Sequence, residues 1–174
     1  MAENIEIKLR VADWRDLLQR LRALDGIRDE GVLEQRDVFF DCPSGRLKLR
    51  LVTGLPAQLI HYERADAAAL RSSRYTLIEI PDGEDLGAVL QLALGTRGEV
   101  CKRRHLFLLD NVRIHLDEVH ALGRFVELEA VVDAQHDQAA CLAAAQRLLQ
   151  KLGLDRAPRE SHAYIDLLQG GSAD

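Results

Sequence analysis

Aromatic side chains account for only 5% of the 174 residues, with a single Trp, which leaves little material for a platform that stacks nucleobases. Cysteine is also sparse. Cys42, Cys101 and Cys141 are odd in number, far apart and without the paired spacing of a zinc site, so they read as reduced thiols used in packing. No apolar run approaches the roughly 18 residues that a membrane-spanning helix requires, and none follows the N-terminus as a signal peptide would. The expectation is a cytoplasmic chain with no membrane partner. An excess of positive charge is missing as well, the net charge being −5. Non-specific nucleic-acid binding, which depends on neutralising the phosphate backbone, is disfavoured on that ground. Repeats, low-complexity blocks and interdomain linkers are absent, so the length suits one domain over residues 1–174, with a loose tail after Gly170.

What the chain does have is alternation. In Asn4-Ile5-Glu6-Ile7-Lys8-Leu9-Arg10, polar and apolar residues succeed one another without a break. In a strand this puts Asn4, Glu6, Lys8 and Arg10 on one face and Ile5, Ile7 and Leu9 on the other. The same pattern returns in Arg46-Leu47-Lys48-Leu49-Arg50-Leu51, in Ala57 to Arg64 with Ile60, Tyr62 and Arg64 in phase, and in Val100 to Leu109 with Lys102 and Arg104 in phase. It returns again in Val112 to Asp117, where Arg113, His115 and Asp117 share a face, and in Phe125 to Val132, where Glu127 and Glu129 do. Further strands are expected over residues 31–41, with Gln35, Asp37 and Phe39 on one side, and over 75–80. Asp110-Asn111 supplies a hairpin turn.

Helical spacing marks Trp14, Leu17, Leu18, Leu21 and Leu24, with Asp13 as the cap and Gly26 as the stop. A second helix, capped by Asp85, carries Leu86, Val89, Leu90 and Leu94 and ends at Gly95. An Ala- and Leu-rich helix covers about 136–152. Ser161 is placed to cap one or two terminal turns before Leu168.

Taken one strand at a time, a solvated charged face is the simpler account, since long charged side chains are seldom fully buried. Taken together, the strands argue for the opposite. Their second face is so consistently Ile, Leu and Val that it must itself be covered, and the amphipathic helices are available to cover it. About eight mainly antiparallel strands favour a closed barrel or two facing sheets, either of which removes exposed edges. In a barrel with helices outside, the ionic residues are left for the lumen. So many cations in one lumen would repel one another unless a polyanion shared the space. Phosphate chains suit Arg and Lys donors, and the carboxylates among them suit a divalent cation with oxygen ligands.

These residues resemble the signature of the CYTH superfamily, the triphosphate tunnel metalloenzymes, which includes class IV adenylyl cyclases and thiamine triphosphatases. The Glu-x-Glu-x-Lys strand of that family corresponds to Asn4, Glu6 and Lys8. Gln35-x-Asp37-x-Phe39-Phe40-Asp41, Lys48-Leu49-Arg50, Tyr62-Glu63-Arg64, Lys102-Arg103-Arg104, Arg113-x-His115-x-Asp117, Glu127-x-Glu129 and Ser161-His162-Ala163-Tyr164 follow in the family's order. The resemblance runs from residue 4 to about 168. It implies an α+β fold, an eight-stranded antiparallel barrel forming a tunnel with helices packed outside. It further implies that Lys8, Lys48, Arg50, Arg64, Lys102, Arg104 and Arg113 contact a triphosphate, and that Glu6, Asp117, Glu127 and Glu129 hold Mg²⁺ or Mn²⁺. A triphosphate-bearing small molecule is then the partner, and pairing into a homodimer is a feature of many tunnel proteins.

One departure bears on function. Asn4 offers a neutral carbonyl oxygen where the family pattern has a carboxylate, and Glu3 points to the other face of a regular strand. A metal then binds more weakly or only together with substrate. The expected activity is that of an adenylyl cyclase or a phosphohydrolase acting on ATP, thiamine triphosphate or inorganic tripolyphosphate, and the alternative is a binding protein that has lost catalysis through Asn4. Lys8 is a candidate general base and Tyr164 a candidate assistant. His115 is in phase either to donate to a phosphate or to make a structural hydrogen bond. The other histidines, His61, His105, His120, His136 and His162, read as surface residues, and Trp14 as helix packing.

Overall fold

Strand β1, Ala2–Val11, closes the sheet: it pairs antiparallel with β8, Gly123–Val132, on one side and with β5, Arg71–Ile80, on the other. Between them run β2 (Arg28–Phe40), β3 (Arg46–Val52), β4 (Ala57–Arg64), β6 (Thr96–Leu109) and β7 (Val112–Val119). In this computed structural model, which describes residues 1–64 and 66–170, the strands form a closed barrel in the order β1-β5-β4-β3-β2-β6-β7-β8, every neighbouring pair antiparallel. The architecture is the α+β tunnel that the family resemblance implied, and of the closed barrel and facing sheets that the alternation left open it is the barrel. The tail expected to be loose after Gly170 lies outside the described residues.

Because side chains alternate across each strand, a charged lumen forces the apolar face outward. The main core therefore lies outside the barrel. Ile5, Ile7 and Leu9 of β1, Ile114 and Leu116 of β7, and Val126 and Leu128 of β8 pack beneath α1 (Arg15–Arg22) and α3 (Gln138–Lys151), which contribute Leu17, Leu21, Leu148 and Leu149. Trp14 packs against the same cluster. A second helix, α2 (Gly83–Leu94), lays Leu86 and Leu90 over Phe40, Leu49 and Ala57. At one end of the lumen the inward residues turn apolar. Phe39, Val100 and Phe125 there meet Ala163, Tyr164 and Ile165, so that the short helix α4 (Tyr164–Leu168) and the residue before it form a floor. None of the helices described is long and apolar enough to cross a membrane.

Several boundaries differ from the sequence expectation, each for a tertiary reason. β5 begins at Arg71 and not at Tyr75, because Arg71-Ser72-Ser73-Arg74 has no apolar alternation and is held as a strand by pairing with Glu6 to Glu3 of β1. β2 and β6 extend to Arg28 and Thr96 through their long shared ladder, with a bulge between Asp29 and Gly31 where Gly31 takes a left-handed φ of 87°. The caps also move. Asp82, not Asp85, caps α2 by accepting from the Asp85 N–H, and the residue before α1 is Trp14, with Asp13 accepting from the Arg15 N–H. Ser161 caps nothing. Its hydroxyl meets the His162 ring, and α4 starts three residues beyond it, after Ala163.

Since Ile114 is fully buried between barrel and helices, Ile114→Ala is expected to destabilise the fold by about 2–5 kcal/mol, read as a lower urea midpoint with an unchanged slope. A midpoint within error of the parent would show that this layer is not the core.

Candidate active site

Strand alternation delivers the polar side chains to the lumen, and antiparallel register decides which of them meet. Lys8 lies opposite Glu127, Asp37 opposite Arg50, Arg104 opposite Asp117, and Glu6 between Arg71 and Glu129. The resulting cavity opens to solvent at its mouth and, with the solvent space at that mouth included, encloses about 780 Å³. Lys8, Lys48, Arg50, Arg64, Lys102, Arg104, Arg113, Glu6, Glu127, Glu129 and Tyr164 all line it. Asp117 does not. It is fully buried beneath Arg104, Lys102 and Tyr164, which do line the cavity.

The cations are held by carboxylates in distinct groups. Asp37 accepts from Arg50 Nε at 2.9 Å and from Lys48 Nζ at 3.0 Å, and Gln35 steadies the same carboxylate at 3.1 Å. Asp117 accepts two bonds from Arg104 at 2.7 and 2.6 Å and one from the Tyr164 hydroxyl at 3.1 Å, with Lys102 Nζ 3.2 Å away. Glu6 is gripped through Oε1 by Arg64 and Arg71. Glu127 bonds Arg104 at 2.8 Å and stands 3.5 Å from Lys8. Fork-shaped pairing of this kind fixes guanidinium orientation as well as charge.

Lys8 sits where the floor meets the wall. Its amine donates to the His162 carbonyl at 2.8 Å and lies 3.9 Å from the centre of the Tyr164 ring. Burial pushes it down to about 8, with Arg64 and Arg71 adding to the effect and Glu127 and Glu6 opposing it. Burial likewise pushes Lys48 down to about 7, reinforced by Arg50 and partly offset by Asp37. Burial and Asp117 push the Tyr164 hydroxyl well up, so it stays a donor to Asp117. For the carboxylates, burial is outweighed. Arg50, Lys48 and Lys102 hold Asp37 well below the usual range, and Lys8, His115, Arg104 and Lys102 do the same for Glu127.

His115 is buried, faces Glu127 across the β7–β8 ladder, and places Nδ1 3.7 Å from Glu127 and 3.8 Å from Glu129. It bonds neither Asp117 nor these carboxylates. Asn4 is buried at the cavity wall, and its Oδ1 has no partner among the described residues. Glu3 cannot substitute for it. The β1 register is unbroken, and Glu3 faces outward, where it accepts from Gln138 at 2.7 Å. Sequence reading missed Arg71 and Ser73, which carry no apolar alternation, and left Asp37 without a role although it is in phase with Gln35 and Phe39. Of the histidines expected at the surface, His120 is exposed, while His61, His105, His136 and His162 are half-buried against carbonyl or carboxylate partners.

A carboxyl whose folded-state pKa is depressed stabilises the fold above its unfolded value, near 4, and that contribution is lost as pH falls through the folded value. Arg104 and Lys102 depress Asp117 against the effect of burial. Asp117→Asn, which removes the carboxylate beside Lys102 and leaves Arg104 only Glu127, is therefore expected to cost about 3–5 kcal/mol at pH 7 and progressively less in strong acid. Urea melts of the two proteins from pH 7 to pH 2 check this; a constant difference would refute the electrostatic account.

The barrel has many counterparts among solved structures. The PH1012 protein of Pyrococcus horikoshii OT3 shares 27% identity at a TM-score of 0.82, over 94% of this chain and 98% of that one. A candidate adenylate cyclase from Vibrio parahaemolyticus shares 21% identity at a TM-score of 0.77, over 97% and 98%. A candidate adenylyl cyclase from Hippeastrum, described as having a dominant triphosphatase activity, shares 16% identity at 0.68, over 100% and 98%. No curated protein matches in sequence. The sequence profile of the CYTH domain matches residues 2–164, nearly the whole of the barrel and its floor, and the chain belongs to that family.

Proposed function

We propose that the protein is a metal-dependent triphosphate phosphohydrolase whose tunnel binds the phosphate chain among Lys48, Arg50, Arg64, Lys102, Arg104 and Arg113. The observation that carries this reading is Lys8, an amine at the sealed end of a cationic lumen with a pKa of about 8. At pH 7 about a tenth of the amine is then unprotonated and at pH 8 about half, far more than for an ordinary lysine, as a general base requires. In the proposed step, water attacks the terminal phosphorus, Lys8 Nζ takes the proton, and the bridging P–O bond breaks to release orthophosphate. The guanidinium groups of Arg50 and Arg104, already oriented by Asp37 and Asp117, stabilise charge on the phosphoryl oxygens. Tyr164 serves as a positioning residue, its ring beneath the Lys8 amine.

The residues fit a divalent cation, Mg²⁺ or Mn²⁺. Glu127 and Glu129 present carboxylates to the cavity, and among the described residues Glu6 has one oxygen uncommitted to hydrogen bonds and the Asn4 carbonyl is an orphaned buried acceptor beside them. Such an ion would neutralise charge on the phosphate oxygens. A second reading, class IV cyclase chemistry, is favoured by Ile60, Tyr75 and Leu77, which give one wall of the cavity an apolar surface for a nucleobase. There the ribose 3′-hydroxyl would attack the α-phosphorus and pyrophosphate would leave.

Product analysis with ATP, thiamine triphosphate and tripolyphosphate, each with Mg²⁺ or Mn²⁺, separates the readings. Orthophosphate lost in Glu127→Gln and Glu129→Gln supports the hydrolase, and cyclic AMP with pyrophosphate supports the cyclase. Binding without product would identify a non-catalytic triphosphate binder. Lys8→Ala is expected to slow turnover by about 10²–10⁴-fold, and normal turnover would remove Lys8 as the base. Because a bound phosphate raises the pKa of Lys48, which burial pushes down to about 7, tripolyphosphate binding at pH 8 should take up protons. Calorimetry in buffers of different ionisation enthalpy would show this, and a buffer-independent enthalpy would count against Lys48 as a phosphate ligand.

A further inference from the structure

The cation site has a nitrogen beside it. Nδ1 of His115 and carboxylate oxygens of Glu127 and Glu129 lie within 4.8 Å of one another on the β7–β8 hairpin. His115 is only 2% exposed, yet among the described residues its Nδ1 has no hydrogen-bond partner. Its separations from the two carboxylates, 3.7 and 3.8 Å, are too long for hydrogen bonds. They match the spacing of donors around an ion with metal–ligand bonds of about 2.0–2.2 Å. A buried ring nitrogen aimed at two carboxylates and bonded to neither is costly unless something bridges them.

We propose that His115 ligates the divalent cation through Nδ1 together with Glu127 and Glu129, so that this chain prefers a first-row transition ion to Mg²⁺. The proposal rests on the metal dependence argued above and names the ligand set. Imidazole nitrogen favours transition ions, whereas Mg²⁺ is held almost wholly by oxygen. The other acidic candidates are largely committed. Asp117 is fully buried and bound by Arg104 and Tyr164, and Glu6 is bound by Arg64 and Arg71. Asn4, neutral where the family signature is acidic, leaves the β7–β8 wall as the strongest donor group. Three cations compete there: Arg104 2.8 Å from Glu127, Lys8 3.5 Å from it, and Arg113 3.6 Å from Glu129. A bound phosphate chain draws these cations to itself and frees the carboxylates, so ion and phosphate bind cooperatively.

The test is pulsed electron paramagnetic resonance of the wild-type chain with Mn²⁺ and a methylene-bridged triphosphate analogue that is not cleaved. The expected spectrum carries ¹⁴N modulation from a coordinated imidazole, lost in His115→Gln and retained in His162→Gln. Competition calorimetry with the same analogue should show the Mn²⁺/Mg²⁺ affinity ratio falling about tenfold or more in His115→Gln. Bound Mn²⁺ without nitrogen modulation in the wild type, no Mn²⁺ binding, or an unchanged ratio would each overturn the proposal, and the wild-type spectrum requires no variant to fold. Orthophosphate release by a protein lacking nitrogen coupling would defeat this ligand set while leaving the hydrolase reading intact. Nitrogen coupling without turnover would do the reverse.

Discussion

Every charge placed inside the barrel has to be balanced inside the barrel. Removing an ammonium or guanidinium from water costs several kcal/mol unless a partner and hydrogen bonds replace the lost solvation. Here Asp37 binds Lys48 and Arg50, Asp117 binds Arg104 and neighbours Lys102, and Glu6 binds Arg64 and Arg71. The architecture follows from that constraint. Polar faces turned inward leave the Ile, Leu and Val faces outside, and α1, α2 and α3 are the cover that those faces need.

The balance is incomplete in a way that suits a polyanion. Lys8 and Lys48 keep pKa values of about 8 and 7, which means that the protein's own carboxylates do not fully offset burial and the neighbouring cations. A bound phosphate chain would supply the missing negative charge. The carboxylates thus have two consequences at once: they hold the guanidinium groups in fixed orientations, and they leave Lys48 short of stabilisation.

The floor joins these electrostatics to the chain's end. Lys8 donates to the His162 carbonyl, the Tyr164 ring lies under its amine, and the Tyr164 hydroxyl reaches Asp117. Backbone bonds from Arg10 N to Pro158 O and from Glu160 N to Lys8 O stitch this segment to β1. A single short stretch therefore seals the lumen and sets the environment of the candidate base, Lys8.

Much of this was written locally. Unbroken polar–apolar alternation in β1, β3, β7 and β8 placed Glu6, Lys8, Lys48, Arg50, Arg113, Glu127 and Glu129 on one face, because a strand's side chains repeat every two residues whatever surrounds them. What alternation could not state is which face becomes a lumen for a strand without it. Arg71 and Ser73 enter the cavity wall only because β5 closes the ring against β1. Partner identity was equally beyond reach. Asp117 is in phase with Arg113 yet is buried beneath Arg104 and Tyr164, which bind it, and His115 faces Glu127 through cross-strand register. Composition and period are properties of a segment, so the chain alone determined most of the strands and their charged face. Register, ring closure and ion pairing are relations between segments far apart in sequence, and only the tertiary structure decided them.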